Sequence, residues 1–103
     1  MQRITVAQAA QLITEKNALV VDIRDPGSFN SAHIENATRI DNSNFQAFIE
    51  NSDKSRPLVV LCYHGNSSQQ AAQVFAQQGF SQSYSVDGGM SEWALSHPVI
   101  AGE

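Results

Sequence analysis

Cysteine is almost absent from this chain: Cys62 is the only one in 103 residues. A lone thiol excludes an intramolecular disulfide, so the core alone must hold the fold, and a reducing, cytoplasmic setting is the simplest expectation. No apolar run approaches the roughly 18 residues of a membrane span, and the opening MQRITVAQAAQLI has no signal-peptide core. Basic residues are also scarce, six against ten acidic ones, for a net charge of −4. None follows Arg56, so the C-terminal half offers no basic patch, and nucleic acid is not an expected partner. Repeats, low-complexity tracts and linkers are missing as well.

What is present is an ordinary globular balance, 42% hydrophobic and 16% charged, sized for a single domain over residues 1–103. Apolar runs alternate with helical spacing. Val6, Ala9, Ala10 and Ile13 predict a helix that Thr5 can cap. Leu19-Val20-Val21-Asp22 reads as a buried strand, and Asp25-Pro26 starts a turn or short helix. Ala37–Ile40 reads as a short strand, followed by a helix capped by Asp41 with Phe45, Phe48 and Ile49 on its apolar face. Leu58–Leu61 is the most apolar strand candidate. A helix from Ser67 or Ser68 points Ala71, Val74 and Phe75 inward and stops at Gly79. Ser83–Val86 is a further strand, and Asp87-Gly88-Gly89 turns into a last helix with Met90, Trp93 and Ala94 on one face. This alternation predicts an α/β fold with a central parallel sheet of about five short strands and helices on both faces. Such sheets place their sites at the carboxyl ends of strands, where DIRDP (22–26), CYHGNSS (62–68) and DGG (87–89) would gather.

Cys62 stands where a buried strand ends and a helix is about to begin. The loop between them can turn its N–H groups inward as an anion nest, and the helix adds its positive end. Both favour thiolate over thiol. Gly65 permits a positive φ or a close backbone approach, Asn66 tolerates the left-handed region, and Ser67 and Ser68 can cap the helix or donate hydroxyl hydrogen bonds. A free cysteine is often only a small buried hydrophobe. A packing cysteine, however, has no need of a Gly-Asn-Ser-Ser loop opening a helix.

CYHGNSS, with VVDIRDP upstream, AHI between and YSVDGGMSEW downstream, resembles the rhodanese family, and among its members the single-domain bacterial thiosulfate sulfurtransferases. The resemblance runs from about Ile4 to Trp93 and implies a rhodanese-like fold. It also implies that Cys62 is the sulfur-accepting nucleophile and that Tyr63, His64, Gly65, Asn66 and Ser67, with Ser68 beyond them, form the substrate-binding loop around a persulfide. Asp22, Arg24 and Asp25 match a motif that is mainly structural. His33 matches the family's Gly-His-Ile histidine, although Ala32 replaces the glycine and Glu35-Asn36 replaces a frequent Pro-Gly.

The implied reaction is double displacement. Thiosulfate donates sulfur to Cys62, and cyanide or a thiol removes it, a thioredoxin-like protein being one such acceptor. No cofactor or metal is required. Cysteine-dependent phosphatases of similar architecture need an Arg six positions after the cysteine to grip phosphate, and Ser68 stands there instead. A neutral loop suits one sulfur atom and implies weak binding of thiosulfate. Two other readings use the same residues: a persulfide carrier or relay loaded by a partner protein, and an interaction domain without turnover.

Several side chains have plainer explanations. His64 can support the thiolate as a cation or simply face solvent, and the latter is expected of adjacent loop side chains. His33, between Ala32 and Ile34, suits a packed, hydrogen-bonded role. Cys62 and His64 have no companion ligands for zinc. The chain has no Cys-x-x-Cys for thioredoxin-like chemistry, and no Gly-x-Ser-x-Gly frame surrounds Ser67 or Ser68.

Overall fold

Residues 1–102 are described by the computed structural model. Five parallel strands form one sheet: β1 (Gln2–Ile4), β2 (Leu19–Asp22), β3 (Thr38–Arg39), β4 (Leu58–Leu61) and β5 (Ser83–Val86). Their order across the sheet is β1-β5-β4-β2-β3, which puts β4 at the centre. Five helices connect them: α1 (Val6–Glu15), α2 (Pro26–Ser31), α3 (Phe45–Asn51), α4 (Ser67–Gln77) and α5 (Gly89–Ser96).

Side chains of a strand alternate between faces, and the core divides accordingly. On one face Val20, Val59, Leu61 and Val86 pack with Val6 and Ala9 of α1 and with Met90 and Trp93 of α5. On the other face Val21, Leu58 and Val60 pack with Ile49 of α3 and with Ala72 and Phe75 of α4. The predicted α/β sheet with helices on both faces is therefore the observed one. Cys62 follows Leu61, two residues beyond Val60, at the carboxyl end of the central strand.

Local chemistry sets the element ends. Thr5 and Gln8 form a reciprocal capping box at α1, and the Asp25 carboxylate caps α2 beside Pro26. Gly79, at φ +106°, ends α4 as expected. Asn36 adopts φ +69°, a conformation its short side chain tolerates.

Three expectations differ from the structure, and one strand, β1, was not expected. Asp41 does not cap α3, whose N-cap position is Asn44. Its carboxylate is taken by the Ser43 amide and by Arg39 Nη2, and hydrogen bonds from Ser43 and Arg39 hold it down at about 2. Val74 is exposed and Ala72 faces the core. The inward stripe of α4 is Ser68-Ala72-Phe75, so a polar residue defines the face, and counting apolar residues alone rotates it. Ala94 is likewise exposed, because α5 buries Gly89, Met90 and Trp93 and Ala94 lies one step around. Strand β1 has one buried residue and no alternating pattern, so its pairing with β5 defines it.

Candidate active site

The three predicted segments do converge. A cavity of about 280 Å³ opens above the end of β4, lined by Ile23, Arg24 and Asp25 from the β2–α2 turn and by Cys62, Tyr63, His64, Asn66 and Ser67 from the β4–α4 loop. Cys62 lies at its floor, only 6% exposed. Its Sγ accepts hydrogen bonds from the amides of Gly65 (3.1 Å) and Ser68 (3.4 Å) and lies 3.2 Å from the Ser68 hydroxyl. Ser68 is the second residue of α4, and Asn66, at the N-cap, makes no side-chain cap. The sulfur therefore takes the place of a capping oxygen and receives the helix's positive end.

The Gly88-Gly89 turn lies beneath the loop. Amides at the start of α5 bind the loop carbonyls, Met90 N to Cys62 O at 2.8 Å and Ser91 N to Tyr63 O at 3.0 Å. A planar peptide points its N–H opposite its carbonyl. Holding Tyr63 O toward α5 thus turns the His64 N–H toward the sulfur. A side chain at Gly89 would place its Cβ 2.4 Å from Cys62 O, and this residue stands at φ +55°, so glycine is required there on both counts. Gly65, at φ +90°, is also closely approached, since a Cβ there would sit 2.8 Å from Gly88 N.

Burial by itself pushes the Cys62 thiol up. The Ser68 hydroxyl and the amides of Ser68, Gly65 and His64 outweigh it, and the net position is below the ordinary thiol value. The groups that lower it are neutral donors, as the sequence reading anticipated for a loop without cations.

Among the described residues the cavity wall contains one cation, Arg24 of the DIRDP segment. Arg24 is buried, and its Nε and Nη2 bind both oxygens of the buried Asp22 carboxylate, the shortest contact being 2.7 Å. Nη2 also donates to Ala32 O at 2.6 Å. The guanidinium lies 5.5 Å from the Tyr63 ring centre. Tyr63 is 48% exposed, and its hydroxyl donates to Ser28 Oγ, which in turn donates to Asp25 at 2.7 Å. Tyr63 is thereby fastened as the rim of the cavity rather than as part of the sulfur cradle.

The remaining expected residues separate by position. His64 is exposed and pairs through Nδ1 with Ser91 Oγ at 3.1 Å, the solvent-facing role. Asn66 and Ser67 line the mouth with exposed side chains. His33 is buried, stacked on Phe29 and bound to its carbonyl at 2.7 Å. Behind the thiol, Ser85 of β5 touches Ser68 Oγ at 2.8 Å. Sequence patterning does not single out Ser85, and the one available signal is a Ser-x-Ser alternation inside an otherwise buried strand. Among the described residues no group of three or more His, Cys, Asp or Glu gathers as a metal site.

Comparisons with known proteins give the family. Residues 5–96 match the family model described as Rhodanese-like domain, and the chain belongs to that family. A protein named thiosulfate sulfurtransferase GlpE from Pseudomonas aeruginosa is 55% identical over 98 residues, spanning 95% of this chain and 88% of the relative. One of the same name from Shewanella oneidensis is 49% identical over 92 residues, spanning 89% and 91%. Among solved structures, a rhodanese-related protein from Thermoplasma volcanium superposes with a TM-score of 0.80 at 27% identity, covering 97% of this chain and 98% of that one.

Proposed function

We propose that this protein is a thiosulfate sulfurtransferase working by double displacement through Cys62, in a cytoplasmic setting and without metal or cofactor. The carrying observation is the set of groups on one sulfur: Gly65 N–H and Ser68 N–H donate to Cys62 Sγ, the Ser68 hydroxyl lies 3.2 Å from it, and the sulfur opens to a cavity. The thiolate attacks the outer sulfur of thiosulfate, and the sulfur–sulfur bond breaks with its electron pair leaving on sulfite. A Cys62 persulfide remains in the loop. Cyanide or a thiol then attacks the terminal sulfur, giving thiocyanate or a new persulfide and returning the thiolate. The amides stabilise anionic sulfur in both halves of the cycle and need no reorganisation between them.

Tyr63, His64, Asn66 and Ser67 shape the approach of donor and acceptor, while Gly65 and Ser68 hold the reacting sulfur. Incubation with thiosulfate and cyanide is expected to yield thiocyanate from the wild type and none from Cys62→Ser. Initial rates should give the parallel-line pattern of a ping-pong reaction, and the mass of the thiosulfate-treated protein should show one added sulfur. Thiocyanate formed by Cys62→Ser at the wild-type rate would refute the assignment.

One observation favours a second reading. Among the described residues the single cation at the cavity, Arg24, is engaged by Asp22 and Ala32. A small dianion meets little free positive charge, which suits a relay loaded by a partner protein. Loading of Cys62 by a cysteine desulfurase but not by thiosulfate would select that reading.

A further inference from the structure

Two serines of β5 face α4, Ser83 and Ser85, and their hydroxyls are used differently. Ser83 Oγ donates to the Ala72 carbonyl at 2.7 Å, an ordinary structural bond. Ser85 is completely buried, and among the described residues its hydroxyl has one partner, the equally buried Ser68 Oγ. Ser68 Oγ in turn contacts Cys62 Sγ. Sulfur and two hydroxyls thus form a chain with two links, leading from the cavity floor into the core.

Hydrogen counting gives this chain a preferred charge state. With the sulfur ionised, two hydroxyl hydrogens serve two links: Ser85 O–H donates to Ser68 Oγ, and Ser68 O–H donates to Sγ. With the thiol protonated, three hydrogens compete for the same two links. One must then leave the chain, either stranded beside Ser85 in the core or turned on the sulfur toward the cavity mouth. A stranded buried donor is costly, and aligned hydroxyls polarise one another. Only the ionised arrangement keeps every hydrogen within the chain.

We propose that Ser85 is a positioning residue for Cys62: from the neighbouring strand it fixes the Ser68 hydroxyl as a donor to the sulfur. As part of sulfur transfer this role rests on the double-displacement reading above. As an influence on the thiolate it stands independently. The charged and titratable groups around the thiol do not supply this effect. Arg24 and Asp25 share the cavity but are committed to Asp22 and to Ser28. Tyr63 and His64 point to Ser28 and to Ser91. On the far side Asp87 is paired with Arg3, Glu92 is exposed on α5, and neither β5 nor α4 carries a charged residue.

The test is the pH dependence of Cys62 alkylation by iodoacetamide in the wild type, Ser85→Ala, Ser85→Thr, Ser85→Val and Ser83→Ala. The midpoint is expected to rise by about half to one pH unit in the alanine and valine variants, with Ser85→Thr close to wild type. Ser83→Ala should lower the melting temperature and leave the midpoint in place, as any purely structural loss would. Threonine and valine share one shape, so their difference reports the hydroxyl even where Ser85→Ala folds poorly. Coincident midpoints for wild type, Ser85→Ala and Ser85→Val would overturn the proposal. Thiocyanate formation by the wild type is scored separately. Its absence, with displaced variant midpoints, retires the enzymatic reading alone, whereas its presence with coincident midpoints retires the role of Ser85 alone.

Discussion

At the scale of single residues, the site depends on where charge is allowed and where it is cancelled. Cys62 is held below the ordinary thiol value by neutral donors acting against its own burial. A depressed folded-state value means that ionisation stabilises the fold above the unfolded thiol's pKa, and this contribution is lost as pH falls through the folded one. Alkylation and sulfur loading are accordingly expected to climb with pH through a midpoint below the ordinary thiol range of about 8.5. A midpoint at or above that value would contradict the donor geometry. Arg24 shows the opposite economy, a buried charge cancelled by a buried partner, with side-chain exposures of 6% and 1% for Arg24 and Asp22. Asp22→Asn leaves the guanidinium without its counter-charge and is expected to cost about 3–5 kcal/mol in urea denaturation. The double variant Asp22→Asn/Arg24→Met should recover part of that loss, because neither charge is then stranded.

At the scale of elements, the loop over the sulfur is shaped from below by the start of α5. Gly89→Ala adds a Cβ 2.4 Å from Cys62 O in a backbone region that costs about 1–3 kcal/mol for a non-glycine residue. Displacing the loop by even a fraction of an ångström misaims the amides, so a fall of about a hundredfold in kcat/KM is expected. Gly102→Ala is the matched control: φ is +93°, but nothing lies within 4 Å of the added Cβ, so thiocyanate assays should show activity unchanged. The same distinction between local and distant causes explains what was legible in the sequence. β2, β4 and the Cys62 loop are contiguous patterns and could be read directly. β1 could not, since it is a strand only by virtue of β5. The inward face of α4 was misread at Val74 because Ser68, a polar residue, anchors it. Within the site, the amide cradle was legible because it spans one short loop. The DIRDP segment with Arg24 was expected at the strand ends, but the bond from Arg24 to Ala32 and the place of Ser85 behind the thiol were not legible, since tertiary packing alone sets them.

At the scale of the whole molecule, the net charge of −4 and the engagement of Arg24 give a dianionic donor no long-range attraction. Added salt screens the repulsion within a Debye length of about 10 Å at 0.1 M. The kcat/KM for thiosulfate is therefore expected to rise about twofold to threefold from low salt to 0.15 M, while alkylation by uncharged iodoacetamide stays constant. A fall with salt would indicate a steering cation at the mouth. The sheet order has a further consequence for synthesis. Gly88-Gly89 and Ser85, which sit under and behind Cys62, come from the last quarter of the chain. A nascent polypeptide that has exposed Cys62 but not yet these residues carries a thiol with the ordinary ionisation. The depressed thiol value and the amide cradle are therefore acquired late, once the final helix has docked.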